Sequence, residues 1–111
     1  MMDFDRQVLQ DQLGDDEEGF QEILALFLKT VPGNIESLAE AVRKKDAPLI
    51  RRLAHSLKGA SGNVGALKIS QTAKHIEQGS KEGDLNQADE FLKYLREDFR
   101  AFQEAVSRII K

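Results

Sequence analysis

Toward the C-terminus, Leu85, Ala88, Leu92, Leu95, Phe99, Phe102, Val106 and Ile109 follow one another in alternating steps of three and four residues. An α-helix turns once every ~3.6 residues, so this spacing gathers them into one apolar stripe, close to the seam of a coiled coil. A stripe of that length has to be covered by other helices rather than by water.

The rest of the chain supplies those helices. Phe20, Ile23, Leu24, Phe27, Val31, Ile35, Leu38 and Val42 repeat at helical spacing and keep their phase through Val31-Pro32-Gly33. A break would disturb the register, so the pattern favours one long helix kinked at Pro32 over two helices interrupted there. Asp15, Asp16, Glu17 and Glu18 suit its first turn through the helix dipole. Upstream, Phe4, Val8, Leu9 and Leu13 give a short leading helix over residues 4 to 13, with Gly14 as its stop. Asp46 caps the next helix and tolerates Pro48 in its first turn. Ala66, Ile69, Ala73 and Ile76 mark a further helix that ends around Gly79 to Gly83, and Asp84 with Gln87 resembles a capping box for the last one. The expected fold is all-α: an antiparallel four-helix bundle with a short additional N-terminal helix, one domain over residues 1 to 111. Arg43-Lys44-Lys45 and Arg96-Glu97-Asp98 read as solvated surface, and the phenylalanines of the last helix as core.

Composition narrows the function. A chain of 111 residues, 41% hydrophobic and 32% charged, fits a single globular domain with a modest core. The absence of cysteine excludes disulfides, thiol catalysis and cysteine-held metals, and two histidines make a metal cage hard to build. A net charge of -3 argues against broad electrostatic capture of nucleic acid. No apolar run approaches a membrane span, and Met1-Met2-Asp3-Phe4-Asp5 lacks the regions of a secretory signal. These features predict a cytoplasmic monomer without nucleic-acid or membrane partners. Met1, with no linker-like stretch at either end, favours a free-standing protein.

The chemistry concentrates in Ala54-His55-Ser56-Leu57-Lys58-Gly59-Ala60-Ser61-Gly62-Asn63-Val64-Gly65-Ala66. Wound as a helix at about 100° per residue, the segment puts Ile50, Leu53, Leu57, Ala60 and Val64 on one side and His55 on the other. Arg51 and Arg52 lie one turn before His55, Lys58 and Gly59 one turn after it, and Gly62 a turn further on. A glycine inside a helix costs roughly 1 kcal/mol relative to alanine. Two on the histidine face therefore call for a reason, and the missing Cβ atoms would let a phosphate or a partner's backbone come close. Ser61 falls toward the buried side as a small residue with local hydrogen bonds, Gly62 and Gly65 read as helix-ending residues, and His75 reads as ordinary surface.

His55-Ser56-Leu57-Lys58-Gly59-Ala60-Ser61, followed by Gly65-Ala66, resembles the signature of histidine-containing phosphotransfer (HPt) domains. The helical layout from about residue 4 to residue 110 is similar to that family's as well. The resemblance implies a phosphorelay carrier. His55 would take a phosphoryl group from the aspartyl phosphate of a response-regulator receiver domain, hold it on Nε2, and pass it to the aspartate of another receiver; a hybrid sensor histidine kinase is a further implied partner. A neutral imidazole suits this as a nucleophile near pH 7 and a labile donor once phosphorylated. Lys58 would offer its ammonium to the phosphoryl oxygens, Gly59 would give steric clearance, and Arg51 would add a second cation because helical side chains lean toward the N-terminus. Family members often carry, on the next helix, a polar residue that bonds the second ring nitrogen. Alignment puts Glu77 there, where relatives commonly have glutamine. A carboxylate would orient the ring and raise its basicity but repel a phosphate, a repulsion that Lys81, one turn on, would offset.

The chain has no Walker motif, no kinase glycine-rich loop and no acidic cluster suited to magnesium. The expectation is a carrier without a nucleotide or kinase site and without a bound cofactor or metal, with Mg2+ on the partner receiver. Two rival readings stand beside it. One is a non-phosphorylated helical adaptor that sequesters a receiver domain, against which the intact His55 and Lys58 speak. The other is a metal-assisted hydrolase, for which His55, His75 and Glu77 are too sparse a ligand set.

Overall fold

The computed structural model describes residues 16 to 108 together with Gln7 and Asp11. These residues form four helices, α1 (Glu17–Arg43), α2 (Ala47–Asn63), α3 (Leu67–Lys81) and α4 (Ala88–Ser107), with no strand among them. Apart from Gln7 and Asp11, the leading helix expected over residues 4 to 13 lies outside the described residues, as does the stripe residue Ile109. Each helix packs on the next, and α4 closes the ring against α1. Connections of only three, three and six residues (44–46, 64–66 and 82–87) reverse the chain each time, which yields an antiparallel four-helix bundle.

α1 runs 27 residues without interruption through Pro32. The phase of its apolar positions thus reported a single helix correctly, and the exposed proline ring stays clear of the core. Asp16 caps α1 by accepting from the Gly19 N–H at 2.9 Å, and Asp46 caps α2 by accepting from that of Leu49 at 3.2 Å. Phe20, Leu24, Phe27, Val31, Ile35 and Leu38 of α1 pack with Ile50 and Leu57 of α2, Ile69 and Ile76 of α3, and Leu92, Leu95, Phe102 and Val106 of α4. Phe27 and Phe102 meet edge to face with ring centroids 5.2 Å apart, joining α1 to α4. Burying each such side chain contributes roughly 1.5–3 kcal/mol, so the bundle is a stable platform for whatever its surface carries.

Some local expectations change. The buried side of α2 comprises Ile50, Ala54, Leu57 and Ser61, while Ala60 is exposed: the helix is clasped by α1 and α3 together, and its inward face is turned toward Ala54 and Ser61. Ser61 Oγ has no hydrogen-bond partner among the described residues, instead of the local bond anticipated. The Asp84 and Gln87 capping box does not form. Asp84 is held in the turn that closes α3, its side chain accepts from the Asn86 N–H at 3.0 Å, and α4 begins after Gln87 without a side-chain cap. The segment read as merely solvated at Arg96-Glu97-Asp98 instead ties helices together. Arg96 donates to Glu36 of α1 at 2.5 Å, and Thr72 of α3 donates to Asp98 at 2.6 Å.

The first three helices end in the same paired bonds. The amide two residues past the helix cap returns to a carbonyl five positions back in Asp46 to Ala41, Ala66 to Ser61 and Asp84 to Gly79. This ending needs a left-handed residue just after the cap, which Gly65 (φ 81°) and Gly83 (φ 75°) supply without strain. Lys45 adopts φ 55° with a Cβ in place. Replacing Lys45 with glycine should therefore stabilise the bundle by about 0.5–1 kcal/mol, the relief of left-handed strain exceeding the added chain entropy. Urea denaturation checks this, and an unchanged or lower midpoint would show that the turn carries no such strain.

Candidate functional site

α2 turns His55 outward because Ala54 and Leu57 beside it are drawn into the core, and 66% of the imidazole remains exposed. From α3, next to the buried Ile76, Glu77 reaches across to it. One carboxylate oxygen of Glu77 lies 2.6 Å from His55 Nδ1, and the other accepts from Lys58 Nζ at 2.7 Å. A single acid thus joins the two residues that the local motif had singled out. The frame around it is bonded too: Ser70 of α3 donates to the Lys58 carbonyl at 2.9 Å, and Ser80 donates to the Glu77 carbonyl at 2.8 Å.

The hydrogen bond from Lys58 holds the Glu77 carboxyl below its ordinary value of 4.5, with a smaller contribution from His55, against partial burial that works in the opposite direction. Glu77 is therefore an anion at neutral pH and can only accept. When the imidazole is neutral, the proton between it and Glu77 belongs to Nδ1, which leaves the lone pair on Nε2, the nitrogen away from the carboxylate. Beside the ring is an open depression lined by Pro48, Arg51, Arg52, His55, Glu77 and Lys81. Arg51, suggested by the lean of helical side chains, and Lys81, suggested by its place one turn past Glu77, are brought to the histidine from different helices. Arg52 joins them, although nothing in the motif assigned it a role. Lys58 points at Glu77 rather than into this depression. Gly59 is exposed, and a Cβ built on it would meet nothing within 4 Å, so no packing inside the bundle requires a glycine there.

The Hpt domain profile matches residues 22–109. The chain belongs to the Hpt domain family. Among solved structures, this Hpt domain is similar to histidine-containing phosphotransfer protein B (HptB) from Pseudomonas aeruginosa PAO1. The TM-score is 0.89 at 25% identity, over 96% of this chain and 92% of that one. It also shares its fold with the HPT domain of the Hpt sensor hybrid histidine kinase from Shewanella, at a TM-score of 0.78 and 19% identity, again over 96% of this chain and 92% of that one. No curated protein matches the chain. The function is histidine phosphotransfer in a phosphorelay, and Hpt domains of two-component systems work with receiver domains and hybrid kinases.

The second histidine of this Hpt domain is placed differently. His75 turns toward α4 and stacks on Phe91, with centroids 5.4 Å apart and planes 9° from parallel. Among the described residues no group of three or more His, Cys, Asp or Glu side chains is arranged to hold a metal, and no helix is long and apolar enough to cross a membrane. What the sequence did not reveal is the second bond of Glu77, to Lys58. The two residues are 19 positions apart on separate helices, and only the mutual rotation of α2 and α3 makes them partners.

The lowered Glu77 value has a consequence for stability. An acid whose folded-state pKa lies below its unfolded value stabilises the fold fully above the unfolded value, here near 4.5, and loses that contribution as pH falls through the lowered one. In urea melts, the stability gap between wild type and Glu77→Gln should be full above the unfolded value and should close as pH falls through the lowered one. A gap that does not vary with pH would show that the charge of Glu77 does not stabilise the fold.

Proposed function

We propose that His55 is the residue that carries the phosphoryl group. The observation behind this is the division of the imidazole: Nδ1 is engaged by Glu77 at 2.6 Å, while Nε2 belongs to a ring that is 66% exposed beside Arg51, Arg52 and Lys81. The Nε2 lone pair attacks the phosphorus of a receiver's aspartyl phosphate. The acyl O–P bond breaks, its electron pair leaves with the receiver's carboxylate, and a second receiver later reverses the step with its own aspartate.

The phosphoryl group passes through a loose transition state, so positioning and charge matter more than covalent chemistry. Lys58 exchanges its bond to Glu77 for the phosphoryl oxygens, and Arg51 and Lys81 contribute further positive charge from the two sides of the depression. Gly59 leaves open ground one turn past the histidine, where the receiver's backbone approaches. The domain acts as a monomeric, cytoplasmic carrier with no nucleotide site, kinase site or cofactor of its own, and Mg2+ is supplied by the receiver. A hybrid sensor kinase is a suitable source of the phosphoryl group. The sequestering adaptor is not favoured, since the family is defined by transfer and both His55 and Lys58 are intact.

Replacing His55 with glutamine should leave the thermal melt unchanged and abolish acid-labile labelling by a phosphorylated receiver; a variant that still takes label would contradict the assignment. Replacing Gly59 with glutamine should slow transfer by roughly ten- to a hundredfold without unfolding the domain, because misplacing the reacting groups by about 1 Å has effects of that order. Unchanged stopped-flow kinetics would refute the clearance role.

A further inference from the structure

Glu77 meets His55 with a charged group, where a glutamine would make the same hydrogen bond without charge. The difference matters after transfer, and its importance rests on the reading of His55 as the phosphoryl carrier. Neutral His55 carries its proton on Nδ1 and attacks through Nε2, so the product is at first a phosphorylated imidazolium. It can then lose the Nδ1 proton to water and become a neutral phosphoimidazole. The two forms differ sharply as donors. When an acceptor carboxylate attacks the protonated form, the N–P bond breaks, its electron pair returns to Nε2, and a neutral imidazole departs. From the deprotonated form the leaving group would be an imidazolate, which is a far poorer one.

We infer that Glu77 is a positioning residue that keeps the proton on Nδ1 of the phosphorylated ring, so that His55 is held in its donating form and the carrier serves as a short-lived intermediate rather than a store. The charged groups facing the ring are Arg51, Arg52 and Lys58 from α2 and Lys81 and Glu77 from α3. The cations disfavour an imidazolium, but once the phosphoryl group is in place they face its negative charge instead. Glu77 is the acid in direct contact, at 2.6 Å, and the side chain is only 16% exposed, so water screens it weakly. When Lys58 leaves Glu77 for the phosphoryl oxygens, the carboxylate acts on the ring alone. An opposite charge in direct contact favours the protonated form of the ring.

The test is to phosphorylate wild type and Glu77→Gln with a phosphorylated receiver, remove the receiver, and follow both the loss of acid-labile phosphate from about pH 5 to 10 and the 15N signal of Nδ1. The wild-type inflection should lie above that of the same phosphoprotein unfolded in urea. That of Glu77→Gln should lie lower, with phosphate loss and passage to a second receiver slowed about tenfold above it. Coincident inflections in two labelled proteins would overturn the inference while leaving His55 as the carrier. A wild type that takes no label would overturn the His55 reading itself, and the inference with it. Should Glu77→Gln fail to fold, the wild-type 15N titration decides alone: an Nδ1 that loses its proton at or below the pH seen in urea overturns the inference.

Discussion

The site depends on how closely α2 and α3 approach. A serine hydroxyl has one carbon with which to span the gap between helices, yet Ser70 of α3 reaches the Lys58 carbonyl of α2 at 2.9 Å. At Gly62 a Cβ would sit in ordinary contact with Ser70 Oγ, at 3.5 Å, so the close approach does not depend on a glycine there. The connection is a three-residue turn through Gly65 in the left-handed conformation, which leaves little freedom for the helices to splay. With the backbones fixed this close, one glutamate can span to two residues of the opposite helix. Moving either helix outward would separate the carboxylate from His55 and Lys58 together, so packing and chemistry are linked at this pair of helices.

The architecture was legible because apolar spacing reports a helix directly and a bundle is the natural way to bury several such stripes. The unbroken phase across Pro32 and the Asp46 cap were read correctly for the same local reasons. What failed was decided by contacts between distant residues. Ala60 and Ala54 are equally small, and only the joint grip of α1 and α3 determines which is buried. Asp84 has the sequence of a capping residue, but its backbone is already committed to closing α3. Likewise, Arg96 and Asp98 look like solvated charges until the bundle brings Glu36 and Thr72 opposite them. His55, Lys58 and Gly59 stood out because they form one short motif. The shared carboxylate did not, since it belongs to the space between two helices.

The electrostatic design is local. The chain as a whole carries a net charge of -3, while Arg51, Arg52 and Lys81 gather beside one exposed imidazole. Such a patch can steady a transferring phosphoryl group without making the whole surface attractive to polyanions. Glu77 contacts both His55 and Lys58, and on the proposed reading it fixes the ring's tautomer, holds Lys58 in reserve and gives the histidine a counter-charge that does not depend on a partner. One acid thereby links, in that proposal, the orientation of the nucleophile to the cation that would meet the phosphoryl group.

If Glu77 occupies Nδ1, it directs phosphoryl transfer to Nε2 of His55, and everything else about the site turns on that. The most direct measurement is a 15N and 31P NMR spectrum of the uniformly 15N-labelled protein after phosphorylation by a receiver domain. The expected result is phosphorus coupling at His55 Nε2, with a proton still bonded to Nδ1. Coupling at His55 Nδ1, or at either ring nitrogen of His75, would contradict it.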